Sequence, residues 1–118
     1  MNCGIVILVM CRFLPTIIFI VYNCSMNLPV NYKDTPWQTR RLVREEYVRL
    51  QGGKCFHCGA DLSGPPTAAI LEKRINVKLF PESMFKYPVH LHHSHVTGMT
   101  LGAVHAICNA VLWQYHGE

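Results

Sequence analysis

The sequence predicts a small α+β domain in which one helix leads into two short strands and a closing helix. Three observations carry this reading. Two pairs of metal-ligating side chains share one spacing, Cys55-x-x-Cys58 and His105-x-x-Cys108. Val89 to His93 and Thr100 to Val104 read as strands on either side of a Thr97-Gly98 turn. Val111, Leu112 and Tyr115 then share the buried face of a helix running from Ile107 to Tyr115.

With 118 residues the chain is long enough for one domain. Its hydrophobic fraction is 50%, unevenly spread: Gly4 to Tyr22 is almost wholly apolar, and the chain from about Asn27 is mixed. Two parts follow, an apolar N-terminal segment, residues 1–25, and a metal-stapled domain, residues 26–118. A domain that short has a limited core, so a structural metal would help to hold it. The formal charge is +4, with 11 Lys and Arg against 7 Asp and Glu. That excess suits a polyanion such as nucleic acid, although many inert small domains are as basic.

The apolar run is about long enough to cross a bilayer as a helix. Arg12 and Pro15 oppose this. A charge near the centre of a span costs about 2.5–3.5 kcal/mol on insertion scales, and proline removes a backbone donor. No Lys or Arg precedes the run, which disfavours a signal peptide. Two readings remain. In one, residues 4–22 anchor the chain in a membrane, and Lys33, Arg40, Arg41 and Arg44 keep the following domain cytoplasmic. In the other, translation begins at Met26 and the domain is cytoplasmic with no anchor.

Thr35-Pro36-Trp37-Gln38 is a helix start: Thr35 can cap, Pro36 suits the first helical position, and Gln38 completes a capping box. Val43, Tyr47 and Leu50 recur at helical spacing, and Gly52-Gly53 ends the run. Arg40, Arg41 and Arg44 lie near one another on this helix, either on a solvated face or against phosphates. Lys54 is a further candidate for a phosphate contact. Ser63-Gly64-Pro65-Pro66 is a turn signal. Ile75 to Phe80 alternates like a strand, and Ser83 to Lys86 fits one helical turn between Pro81 and Pro88.

Six Cys could signal disulfides in a secreted protein, and Cys3, Cys11 and Cys24 lie in or beside the apolar segment. The other three have a better reading. Cys55-Phe56-His57-Cys58-Gly59 sets two thiolates on one knuckle, with Gly59 permitting the strained turn after it. His105 and Cys108 complete three thiolates and one imidazole, a closed tetrahedral set suited to structural zinc. A redox C-x-x-C would leave Cys108 unexplained. His57, inside the knuckle, reads as exposed and not a ligand.

His90-Leu91-His92-His93-Ser94-His95-Val96-Thr97-Gly98 holds four of the seven His in six residues. Phosphodiester hydrolysis needs a water deprotonated near neutral pH, for which His is the poised side chain. It also needs a cation at the charged transition state. A second structural metal site or a loop of exposed His are the bland alternatives. On a strand His93 and His95 share one face and His92 the other, unless a bulge at His92-His93 intervenes.

Together with Leu101-Gly102-Ala103-Val104-His105-Ala106-Ile107-Cys108-Asn109-Ala110-Val111-Leu112 and the upstream Cys55-x-x-Cys58-Gly59, this run resembles the phage recombination endonuclease VII branch of the HNH nucleases. That branch reads H-L-D-H-D-H, a turn, an Arg-Gly and C-x-x-C-N. The resemblance covers about Cys55 to Leu112, with an unmatched middle. It implies a ββα-metal (His-Me finger) fold with structural zinc. Position by position it makes His93 the general base, and His92 and Asn109 the holders of a catalytic divalent ion. His95 falls near the scissile phosphate. His92 and Ser94 stand where the family has acids, and Leu101 where it has Arg. Two neutral ligands suit Mn2+, Ni2+ or Zn2+ better than Mg2+.

The resemblance thus implies hydrolysis of DNA phosphodiester bonds, with zinc as structural metal and Mg2+, Mn2+ or another divalent ion at the active site. A symmetric homodimer would suit branched or double-strand cuts. The rival is a non-catalytic zinc module for nucleic acid or protein, which needs neither His93 nor Asn109. A third reading is a membrane-anchored zinc protein.

Overall fold

The computed structural model describes residues 2–9 and 18–118, with side chains from Met26 onward. At the N-terminus β1 (Asn2–Val9) pairs antiparallel with β2 (Ile18–Ser25), Asn2 opposite Ser25 and Val9 opposite Ile18. The apolar run is therefore extended over these residues, where a helix was one expectation. Its wealth of Ile and Val explains the preference, since β-branched side chains lose rotamer freedom in a helix and pack well on a pleated surface. Arg12 and Pro15 lie outside the described residues. Among the described residues no helix is long and apolar enough to cross a membrane.

The helix α1 (Trp37–Leu50) starts one residue later than expected, with Pro36 as its cap. No capping box forms, because the Thr35 hydroxyl donates to the Asn31 carbonyl at 2.6 Å. Val43 is buried and Tyr47 partly so, but Leu50 is 59% exposed at the last turn, against expectation. Gly52 and Gly53 end the helix with φ of +64° and +76°, conformations that suit glycine.

A single turn that the sequence did not announce, α2 (Ala68–Leu71), buries Ile70. The strand expected over Ile75 to Phe80 is absent. Val77–Leu79 forms one tight helical turn instead, capped by the Asn76 side chain, which accepts from the Lys78 amide at 3.2 Å. Asn at a turn entry offers the backbone this local alternative to a ladder. A second tight turn, Glu82–Phe85, falls where one was expected.

The C-terminal unit is β3 (Val89–His93), β4 (Thr100–His105) and α3 (Ala106–His116). The strands are antiparallel, and both α1 and α3 pack on them. Pairing runs from Val89 opposite His105 to His92 opposite Gly102, and His93 then faces Thr100. The register shifts between His92 and His93, but the extra residue is Leu101 of β4, so the bulge expected within the His strand lies in its partner instead. Cys55, Leu62, Ile70, Ala103, Val104, Cys108 and Val111 form one buried cluster. Tyr115 does not join it: it is 48% exposed, and its hydroxyl donates to the Arg74 carbonyl at 2.6 Å.

Gln51 locks α1 to β4. Its amide oxygen accepts from the Ala103 N–H at 2.8 Å, and its amide nitrogen donates to the Ala103 carbonyl at 2.9 Å. Gly102 makes room for this contact. A Cβ there would lie 2.8 Å from Phe56 Cγ and 2.9 Å from Gln51 Oε1. Gly102→Ala is accordingly expected to destabilise the domain by about 1–3 kcal/mol, the usual cost of overpacking. A urea melt of the variant matching the unsubstituted protein would contradict this close approach.

Candidate functional site

The knuckle at Cys55 is built by backbone hydrogen bonds. The Gly59 amide donates to the Cys55 carbonyl at 3.0 Å and the Cys55 amide to the Ala60 carbonyl at 2.8 Å, with Gly59 at φ +77°. This turns Cys55 and Cys58 toward the end of β4 and the start of α3. The ligand atoms of Cys55, Cys58, His105 and Cys108 all lie within 4.8 Å of one another, a group that could hold a metal ion. Two observations make zinc a good fit. His105 Nδ1 lies 3.5 Å from Cys58 Sγ and 3.6 Å from Cys108 Sγ. Tetrahedral sulfur and nitrogen ligands at zinc bond lengths stand about 3.6 Å apart.

The second observation concerns the far side of the ring. His105 Nε2 lies 2.9 Å from the Asp61 carbonyl and 3.1 Å from the Gly64 carbonyl. Carbonyls only accept, so Nε2 carries the proton and Nδ1 keeps its lone pair toward the sulfurs. The thiols already favour ionisation at one position. A hydrogen bond from Cys108 holds the Cys55 thiol down at about 3, and the same pairing with burial pushes Cys108 up. A bound cation would ionise all three. His57 is exposed and stays out of the group, as its place in the knuckle suggested.

His90 and His92 turn toward α3 and meet Asn109. Asn109 Nδ2 donates to His90 Nδ1 at 3.2 Å, and His92 Nδ1 faces Asn109 Oδ1 at 3.1 Å. His92 is only 2% exposed. Burial pushes both imidazoles below their ordinary range, and for His92 the Asn109 contact opposes the shift. The Glu118 carboxylate stands 4.0 Å from His92 Nε2.

His93 is the last residue of β3, past the register shift and close enough to His92 to feel its charge. Its ring stacks on Tyr32 at 3.9 Å between centroids, and His95 lies 5.0 Å away. Burial first, then the charges of His95, His92 and Arg40, bring His93 down to about 4. The ring is therefore neutral near pH 7, with a lone pair to offer. It borders a cleft of about 460 Å³ with Asn31, Lys33, Ser94 and His95 on its walls. Ser94 has a turn role: its hydroxyl accepts from the Val96 and Thr97 amides, each at 3.2 Å.

The four basic candidates are placed differently. Arg40 Nε donates to the Tyr32 carbonyl at 2.8 Å, and its guanidinium covers the Tyr32 ring. Arg41 pairs with Glu45 and Lys54 with Asp61, both on the surface. Arg44, half-buried on α1, lies near enough to add to the lowering of His90 that burial begins. Sequence reasoning missed Tyr32, and it named Lys33 only as a charge after the apolar run, not as a cleft residue. Both sit in an irregular segment, where no periodicity marks a side chain's direction. Compared with family models, with curated proteins and with solved structures, the chain matches none of them.

Proposed function

We propose that the chain is a metal-dependent endonuclease with a ββα-metal site that hydrolyses DNA phosphodiester bonds. The observation that carries this reading is the arrangement at the end of β3. His92 faces Asn109 of α3 at 3.1 Å, and the next residue, His93, presents a neutral imidazole to an open cleft. Ligand atoms bound to one ion at about 2.1 Å and right angles lie about 3 Å apart, so His92 Nδ1 and Asn109 Oδ1 fit one divalent cation. Such a cation would stabilise the charge that develops on the phosphate. His93 would take the proton of the attacking water, and His95 stands beside it on the cleft. The Cys/His group, loaded with zinc, would hold β4 and α3 in register beneath the site.

The cleft walls favour an anionic substrate. They carry Lys33 and, among the described residues, no Asp or Glu. Full-length protein is expected to nick supercoiled plasmid with Mn2+, less well with Mg2+, and not at all with chelator. Plasmid that stays intact with either ion would end this reading. Lys33→Gln is expected to raise KM for DNA about 3–10-fold with kcat unchanged, and to reduce the salt slope of binding by about 1. A salt slope identical to the unsubstituted protein's would remove Lys33 from the interface.

A further inference from the structure

We infer that Tyr32 is a positioning residue for His93, a flat platform that sets the plane of the imidazole and is itself clamped by Arg40; the inference rests on the nuclease reading above. The His93 and Tyr32 rings are 3.9 Å apart at an interplanar angle of 11°, a parallel stack. The Arg40 guanidinium carbon lies 4.0 Å from the centroid of the same Tyr32 ring. Two groups cannot share one face of a ring at those distances, so Arg40 and His93 take opposite faces and the tyrosine is held between them.

The platform is tied down at both ends. The Tyr32 amide donates to the Gly98 carbonyl at 2.8 Å, which fixes it to the β3–β4 turn. Its own carbonyl accepts from Arg40 Nε at 2.8 Å, which fixes it to α1. His93 sits at the last position of β3, beside the bulge, where the ladder alone constrains it weakly. A side chain there has rotamers to choose among, and a general base is useful in only one of them. Stacking selects the ring plane, and with it the direction in which a ring nitrogen offers its lone pair. A misplacement of about 1 Å can cost about 10²-fold in rate, so the platform acts on turnover and not on substrate affinity. Arg40, engaged with Tyr32 through both its guanidinium face and its Nε, is thereby a support for the base and not a contact to DNA.

The test uses full-length, zinc-loaded protein and plasmid nicking with Mn2+. Tyr32→Leu is expected to lower kcat about 10–100-fold, with KM within about twofold and zinc content unchanged. Tyr32→Phe keeps the stack and is expected to retain kcat within about threefold. Proton NMR of the unsubstituted protein should show cross-relaxation between the Tyr32 and His93 rings, and His93 ring signals shifted upfield by the stacked tyrosine. Tyr32→Leu turning over like the unsubstituted protein, while His93→Ala is inactive, would overturn the inference and leave the nuclease reading standing. So would a Tyr32→Phe loss as deep as that of Tyr32→Leu. Should Tyr32→Leu lose its zinc, the Tyr32→Phe rate and the ring-to-ring NMR contact decide between the same two outcomes. Unsubstituted protein that cuts nothing overturns both.

Discussion

Replacing Cys108 with Ser is expected to unfold the domain outright. Cys108 is fully buried and belongs to the same core cluster as Cys55, Leu62, Ile70 and Val104. The cluster is small, and two of the four candidate metal ligands, Cys55 and Cys108, belong to it. Structural zinc contributes on the order of 10–16 kcal/mol in small metal-folded domains. The net stability of a whole domain is only about 5–15 kcal/mol. Loss of one thiolate ligand from a site of that strength is therefore expected to take away a large share of what the fold has in reserve. Metal analysis is expected to fall from one zinc per chain to near none, and the cooperative thermal transition to vanish. A strong chelator should do the same to the unsubstituted protein. His105→Cys is the informative partner, because a thiolate can replace the imidazole and zinc should stay bound. A Cys108→Ser protein that melts cooperatively at the original temperature would show that the four side chains do not form a structural metal site.

His93→Ala is expected to have the opposite profile, with catalysis lost and the fold kept. General-base assistance contributes about 10²–10⁴-fold in rate, so plasmid nicking should fall by that factor. The ring is half-buried at a strand end, on the rim of the cleft, and His93 is not a member of the Cys/His group. Zinc content and melting temperature should therefore hold. His93→Ala nicking at the original rate would remove His93 as the base. Asn109→Ala is a poorer first test. It would take away the candidate ion ligand, but it would also leave His90 and His92 without the amide that now joins them. An unpaired buried polar group costs about 1–3 kcal/mol, so lost activity and lost stability would be mixed.

What could be read from the sequence was local. The two spaced pairs were legible because a two-residue spacing alone can aim two ligands at one ion. The choice of Nδ1 at His105 was not legible, since it depends on carbonyls at Asp61 and Gly64, far away in the chain. The conflict between strand alternation and the roles assigned to neighbouring His pointed to an irregularity at His92-His93, where the register does shift. That Leu101 supplies the extra residue depends on the pairing partner. Alternation misled at Ile75 to Phe80, where Asn76 captures the backbone locally and Gln114 accepts from the Asn76 amide at 2.9 Å. Charge at Arg40, Arg41 and Lys54 was legible, but their engagement with Tyr32, Glu45 and Asp61 is tertiary or surface chemistry that composition does not encode. The same holds for Tyr32, whose ring matters only because the β3–β4 turn returns to meet it.

A two-stranded sheet has two open margins, and each is a template on which another chain can add a strand. Along β4 that template is largely filled. The Gln51 amide and the Phe56 N–H take both polar groups of Ala103, and Val30 exchanges hydrogen bonds with the Thr100 amide and hydroxyl. A side-chain amide has the same donor and acceptor as a peptide unit, so Gln51 behaves like one residue of a missing strand without the rest of it. The margin of β4 is thereby blocked to strand addition at Thr100 and Ala103. A partly unfolded copy of the chain would find Thr100 and Ala103 of β4 already occupied.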